Sequence, residues 1–576
     1  MRPMVTKPDF SFVRVHAHKL ALVYLVAGLA MNFYSSLINV DVYHEGDKFP
    51  SIVSMSQGGM VFRDVNQMYG FLTTILSIPL TKILGAHLVA MRLTGFIVLL
   101  VLTLLFARVL GFYISRNSAI FVAGSWLIVS PSWANLNDPR FSNGFAWPTH
   151  YGMLFLFASI LLWPRNFSFS QRINLRFFLS SLFMAISWSA RLEFIATWVL
   201  TSMFVFFLWK RREIKFQTLS SWLLGGLTYF LTSVFWLFSQ GALQDWYQQT
   251  VLVWFSNPPA QPKFTSIWLI MNAFSFLAIA GLGITCFLVI YFAKRSQFAA
   301  SVLSIILILL SALVGERFEL WQIGGYHAGA WIFEISNRVV LSPVNILFAT
   351  GLVSSSFIIF NYITGKMTDK FQIDIVFLAV INVSLLSMLH ITNADYIHMF
   401  VMPFVVVSVW FAKTLVFNSS VSWKQIQAPL VTTVLVFALI ATGGFISGAV
   451  KPLSAYKSET LRGLFDQNPV IRDAIDTKMN TVANFSKDGI WSFCISGLPT
   501  IARGEYLGKD KWVWNLEPEP WMIERWTKVK KNDFMYVCAL SPGESSLLAQ
   551  NLKSQRIVKV TEGDGFSIYQ ARENLV

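Results

Sequence analysis

The sequence predicts a polytopic α-helical membrane protein of about 13 spans with a small C-terminal α/β unit, and three observations predict it. Of 576 residues, 55% are hydrophobic and 13% charged, against roughly 25% charged in soluble domains. Apolar stretches long enough to cross a hydrocarbon core of about 30 Å recur from residue 19 to about 450. Beyond that point the chain reads as ordinary globular sequence.

Taken in order, spans are expected near 19–39, 87–110, 117–130, 148–163, 177–190, 192–209, 217–239, 265–293, 297–314, 341–363, 372–390, 397–415 and 428–449. The first is expected to be retained as a helix, because no small-residue cleavage site follows it. Two domains follow: a transmembrane domain over 1–450 and an extracytoplasmic α/β domain over 451–576. In the second, periodicity predicts a helix within 459–485, strands at 489–497 and 533–540, a helix at 545–552, and strands at 556–560 and 566–571. Cys494 and Cys538 fall inside two of those strands, as a disulfide or as two core thiols.

The net charge of +15 does not point to nucleic acid. Basic residues concentrate in loops on the N-terminal side, among them Arg2, Lys7, Arg14, Lys210, Arg211, Arg212, Lys294 and Arg295, and the opposite side carries about half as many. By the positive-inside rule the N-terminus is cytoplasmic, and an odd number of spans places the C-terminal domain outside a cytoplasmic (inner) membrane. The acidic residues follow the reverse pattern, so any chemistry is expected on the outer side.

The first outer loop, 40–86, is the most informative stretch. It starts DVYHEGD, with Asp41, Glu45 and Asp47 beside His44 directly after an apolar span, and carboxylates at the mouth of a span are expensive. Its second half is apolar and broken by Pro79 and Gly85, which predicts one or two amphipathic helices in the outer interface. Arg92 opens the next span. Further on, SPSWANLNDPRFSNGFAWPTHYG holds Arg140 and His150, and SWSARLEFIATW inserts Arg191 and Glu193 into apolar sequence, either as a pair at a hairpin tip or as working groups. The aromatic-rich GERFELWQIGGYHAGAWIFEISNR carries Arg317, His327 and Arg338, in keeping with an interfacial belt or a carbohydrate-stacking surface. HITNADYIHMF brings His390, Asp395 and His398 to the ends of two spans, a weak metal signature without a third firm ligand type. No GxxxxGK[ST], no GxGxxG after a strand, no CxxC and no GxSxG is present, which disfavours direct use of ATP or a nucleotide cofactor.

At DVYHEGD followed by QGGMVFRDVNQMYGFLTTILSIPLTKILG, the sequence resembles the polytopic glycosyltransferases of the GT-C superfamily, in particular bacterial members with an acidic HEG-like first outer loop. The matching elements are Asp41, His44, Glu45 and Gly46, then Gly58 and Gly59, then Phe62, Arg63 and Asp64, then Tyr69 and Gly70. The ADYIHMF segment, with Asp395 and His398, is similar to a short late segment of such proteins. Many members begin the loop with an Asp-Glu pair; here His44 and Glu45 stand in that place with Asp41 further back, so either Asp41 or Glu45 is the catalytic carboxylate.

The resemblance implies transfer of a sugar from a polyprenyl-phosphate donor, reached from the lipid bilayer, to a glycan, lipid or protein acceptor outside. Such a reaction needs a carboxylate to take the acceptor proton and cations to stabilise the departing phosphate. The expected cations are Arg63, Arg92, Arg140, Arg191, Lys263, Arg317 and Arg338, and the remaining substrate-binding candidates are His44, Asp47, Asp64, Tyr69, His150, Glu193, His327, Asp395 and His398. The sequence names no cofactor, and assistance by a divalent cation stays open. Two other readings share the topology. A transporter or flippase would place its charges near mid-span in both repeats, and an O-antigen ligase or polymerase would carry its large outer loop between spans.

Overall fold

The computed structural model describes residues 11–38, 42–67, 69–129, 147–164, 171–252, 322–323, 326–327, 343–365, 373–390, 401–418, 456–457, 465–466, 469–485, 489–493, 498–503, 519–538, 540, 542–563 and 565–575. The expected spans at 265–293, 297–314 and 428–449, and the expected domain boundary at 450, lie outside these residues.

Helices α1 (Ser11–Ser35), α4 (Leu88–Leu110), α5 (Arg116–Val129), α6 (Pro148–Leu162), α7 (Gln171–Trp188), α8 (Phe194–Lys210) and α9 (Phe216–Ser239) coincide with the expected spans up to residue 239. Between the first two of these lie α2 (Val42–Ser56) and α3 (Leu72–Leu84): α3 falls in the second half of the first outer loop, where one or two helices were expected, and α2 forms in the first half, where none was. After α9 comes a short α10 (Leu243–Trp246), which runs on as a π-helical turn over Tyr247–Leu252. Later in the chain are β1 (Gln322–Ile323) paired with β2 (Tyr326–His327), α11 (Pro343–Ile363), α12 (Ile373–Ser384) continuing as 3-10 helix through Leu385–His390, and α13 (Met402–Asn418).

The helices pack α1 on α5, α4 on α6, α6 on α7, α7 on α9, and α11 on α12 and α13. Small residues let them close up: a Cβ at Gly225 would lie 2.2 Å from the Phe178 carbonyl oxygen, so α9 meets α7 at glycine. The shared core is aromatic, with Trp163 stacked on Phe377 at 3.8 Å between ring centres and Phe106 edge-on to Phe157.

The opposite faces are apolar as well. Helix α9 exposes Leu224, Leu231, Phe235 and Phe238, α8 exposes Met203 and Phe206, and α11 exposes Phe357 and Phe360, with Phe235 70% accessible. Large apolar side chains exposed on several helices suit hydrocarbon rather than water. The chain is therefore a helical membrane protein. Among the described residues, α4 and α9 are both long and apolar enough to cross a bilayer, and seven further apolar helical stretches are shorter.

The C-terminal unit contains β3 (Tyr456–Lys457) paired with β4 (Phe465–Asp466), α14 (Pro469–Phe485), β5 (Ile490–Phe493), α15 (Leu498–Arg503), α16 (Glu519–Trp526), β6 (Phe534–Val537), α17 (Pro542–Lys553), β7 (Ile557–Gly563) and β8 (Phe566–Ala571). Its four-stranded sheet has the order β5-β6-β8-β7, parallel between β5 and β6 and antiparallel elsewhere. All four strands expected from sequence are there. The parallel step requires a crossover, which α15 and α16 supply. Cys538 is disulfide-bonded, and its N–H donates to the carbonyl of Phe493, the residue before Cys494. Cys494 itself lies outside the described residues.

This unit is not hung beside the membrane helices. Phe49, Ile52 and Val53 of α2 share one apolar cluster with Leu498 and Ile501, and α2 packs directly on α15.

Candidate functional site

The first outer loop is anchored at its start by Arg92. The side chain rises from the first turns of α4, and all three of its nitrogens donate: Nε to Glu45 Oε1 at 2.6 Å, Nη2 to Glu45 Oε2 at 2.7 Å, and Nη1 to the carbonyls of Ser36 and Ile38 at 2.7 and 3.2 Å. Both side chains are 0% exposed. A guanidinium matches a carboxylate in this two-pronged way with both partners desolvated. The result ties the end of α1, the start of α2 and the start of α4 into one knot.

Two residues expected at the substrate thus bind each other: the Arg92 nitrogens donate to Glu45 and two carbonyls, and both Glu45 oxygens accept from a permanently charged partner, an arrangement suited to holding structure.

One turn further along α2 stands Lys48, which sequence reasoning left out of the cationic set. It is 1% exposed, with its ammonium 4.4 Å from the centre of the Trp147 ring and 5.9 Å from that of Tyr69. Cation–π attraction of this kind strengthens as water is removed. The only signal in the sequence was the spacing of three residues from Glu45, which puts both on one side of a helix. On Tyr69 the Arg191 guanidinium lies 5.6 Å from the same ring centre, so one tyrosine has two buried cations near its ring.

Arg191 is positioned by the turn between α7 and α8. Its Nη2 and Nε donate to Glu193 Oε1 at 2.6 and 3.2 Å, and its Nη1 donates to the Thr149 hydroxyl at 3.1 Å. The pair is 5% and 11% exposed. The expected hairpin-tip pairing is thus present, and it faces a pocket. The first loop reaches this turn by backbone hydrogen bonds from Gly70 N–H to Ala190 and from Leu72 N–H to Ser189. A Cβ at residue 70 would lie 1.9 Å from the Ser189 oxygen, which is why glycine follows Tyr69. Tyr229 of α9 donates its hydroxyl to Ser189 from behind, at 2.7 Å.

The pocket between these segments is lined by Tyr69, Gly70, Trp188, Arg191, Glu193 and Trp246, and its volume of ≈ 20 Å³ is room for about one water. His150, at the start of α6, is buried with its ring edge-on to Trp126 at 6.5 Å.

Arg63 and Asp64 sit elsewhere. They bind each other through two hydrogen bonds of 2.8 and 2.7 Å, Arg63 Nη1 donates to the Gln240 carbonyl, and Asp64 accepts from the Met60 N–H at 2.7 Å. Gln249 closes the same junction by donating to the Phe62 carbonyl and accepting from the Gln67 N–H. Phe62, at φ +72°, supplies the reversed backbone that makes the turn. The hydrogen bond to Asp64, followed by its negative charge, raises the Arg63 pKa above its ordinary value, so it stays charged. With side chains 45% and 36% exposed, this pair latches the loop to the end of α9 rather than lining the pocket.

Asp41, Arg140, Lys263, Arg317, Arg338, Asp395 and His398 lie outside the described residues, as do the side chains of His44, Asp47 and His327. Among the described residues, no group of three or more His, Cys, Asp or Glu side chains is arranged to hold a metal ion; the His390, Asp395 and His398 cluster falls outside that set.

Neither a family model nor a characterised protein sequence matches the chain. Among solved structures, it is similar to ArnT from Cupriavidus metallidurans bound to undecaprenyl phosphate, with 13% identity and a TM-score of 0.40 over 97% of this chain and 98% of that one. The apo state of the same protein gives 13% identity and 0.42 over 96% and 97%. An oligosaccharyltransferase from Archaeoglobus fulgidus, in complex with Zn and sulfate, gives 11% identity and 0.43 over 82% of this chain and 56% of that one. Scores this low do not establish a shared fold, and the functional reading rests on the residues of the chain itself.

Proposed function

We propose that this chain is a membrane glycosyltransferase of the GT-C type, moving a sugar from a polyprenyl-phosphate donor to an acceptor hydroxyl on the extracytoplasmic side. The observation that carries the reading is the placement of Lys48 and Arg191, both buried, 5.9 and 5.6 Å from the Tyr69 ring centre at the junction of the first loop with apolar helices. Two desolvated cations at the end of a membrane helix bundle suit a lipid-borne anion. The motif-bearing first loop, which resembles that of the GT-C enzymes, supplies the rest.

In this reading Asp41 takes the proton of the acceptor hydroxyl as its oxygen bonds to the anomeric carbon. The bond from that carbon to the phosphate oxygen breaks, and polyprenyl phosphate leaves with the electron pair. Arg191 and Lys48 stabilise the charge that develops on the leaving phosphate, while Glu45 and Arg92 hold α2 in place. The pocket is too small for a sugar phosphate as it stands, so in this reading donor entry requires its walls to part, a change the ligand drives by its better fit to the open state.

An N-terminus in the cytoplasm and a C-terminal unit outside belong to the same proposal. The disulfide at Cys538 supports the outer placement, since such bonds persist in oxidising compartments.

The test is transfer of labelled sugar from polyprenyl-phosphate donors by the purified protein in detergent, with Lys48→Met and Arg191→Ala as controls. Transfer that falls in both variants while the fold persists supports the reading; wild-type protein that moves such lipids between leaflets without consuming them would replace it with a flippase. A reporter active only outside, fused after Val576, tests the topology.

A further inference from the structure

Every residue of α2 from Lys48 to Ser54 is buried. A helix buried on all faces needs a covering element on each side. On the membrane side α3 and α4 do this: the Ser51 and Thr74 hydroxyls share a hydrogen bond of 3.2 Å, and Arg92 holds Glu45. Helix α15 of the C-terminal unit packs on it as well, with Leu498, Pro499, Thr500 and Ile501 all buried.

Helix α2 needs this cover more than most. It has 15 residues and carries Pro50 inside, which removes one internal hydrogen bond. Helices of about that length are marginal by themselves, so its position comes from tertiary contacts. The six-residue α15 is in turn set by what holds it: it follows β5, packs on α14, and joins a cluster with Met479, Val482, Tyr536 and Ile568.

We infer that the C-terminal α/β unit is a working part of the site, with Leu498 and Ile501 as positioning residues that act through α2 to place Lys48 beside Tyr69. The link to donor binding rests on the function proposed above; the link from α15 to α2 does not. Arg92 pins the start of α2 electrostatically and α15 pins its middle by apolar contact. Trimming the apolar contact frees the segment that carries Lys48 while the Glu45 end stays held.

Hydrogen–deuterium exchange on the full chain in detergent tests this, together with the affinity for undecaprenyl phosphate. Ile501→Ala is expected to speed exchange over 48–56 by about tenfold, since a deleted core side chain weakens local closure, with exchange in α6 and in the turn between α7 and α8 unchanged. Undecaprenyl phosphate affinity should fall by a similar factor and return with Ile501→Val. Leu498→Val, a smaller deletion, carries the same test if Ile501→Ala does not accumulate. Unchanged exchange in α2, or an equal rise throughout α2, α4 and α6, overturns the inference, as does faster α2 exchange with undiminished affinity. If the exchange behaves as expected and the wild-type chain does not bind undecaprenyl phosphate, the control of α2 by α15 stands and the proposed function falls.

Discussion

Two arginine–carboxylate pairs, built from the same chemistry, occupy neighbouring parts of this molecule to opposite effect. Arg92 and Glu45 meet through both oxygens, at 0% exposure, with the remaining guanidinium donors on backbone carbonyls. Arg191 and Glu193 meet through Glu193 Oε1 at the wall of a pocket, and Arg191 also donates to a threonine hydroxyl. A carbonyl locked in a helix end is not displaced by a ligand, whereas a hydroxyl and a carboxylate at a pocket wall can yield to a phosphate. The difference teaches that the number and kind of a cation's partners, rather than its presence near a site, decide whether it binds substrate or holds structure.

The comparison breaks most sharply at the closed pair. Arg92→Leu leaves Glu45 buried without its partner and is expected to cost about 3–5 kcal/mol of stability, read as a drop in thermal unfolding temperature in detergent. Replacing both residues, Arg92→Leu with Glu45→Met, should recover much of that loss because no charge is then stranded. A double variant as unstable as the single one would mean that the carbonyl contacts of Arg92, not the ion pair, hold the knot.

Next in size is the assignment of the base. Asp41→Asn is expected to lower turnover by about a hundredfold, as for loss of a general base, with thermal stability and donor affinity retained. Glu45→Gln should instead lower stability and activity together. Full stability with abolished turnover in Glu45→Gln would return the catalytic role to that residue.

At the open pair, Arg191→Ala is expected to weaken binding of a polyprenyl phosphate by about tenfold or somewhat more, the value of a charge-assisted hydrogen bond, while the protein stays folded. Equilibrium binding in detergent checks it. A large stability loss with unchanged affinity would make this pair structural too. The smallest effect is expected at Arg63, where Arg63→Ala should change stability by less than about 1 kcal/mol, as for exposed ion pairs, and leave donor affinity as it was.

Much of the framework was legible in the residues. Apolar runs and turn residues sufficed for every described helix between residues 11 and 239 that was expected as a span, and alternation sufficed for the four strands of the C-terminal sheet. Acidic residues after the first span marked the loop on which the proposed function rests. These features depend on neighbours a few positions apart, so periodicity exposes them.

Which charges face one another was decided only by packing. Arg92 and Glu45 are 47 residues apart, and five described helices, α3 to α7, separate Arg191 from Tyr69 along the chain. The pool of outer arginines drawn from sequence therefore mixed a structural clamp, a loop latch and a pocket residue. Lys48 was hidden among its acidic neighbours, and the seating of α15 on α2 joins segments from the two ends of the chain. Hydrophobic pattern says that a face must be covered; it carries no information on which distant segment covers it. That choice is made by shape and burial once the helices have come together.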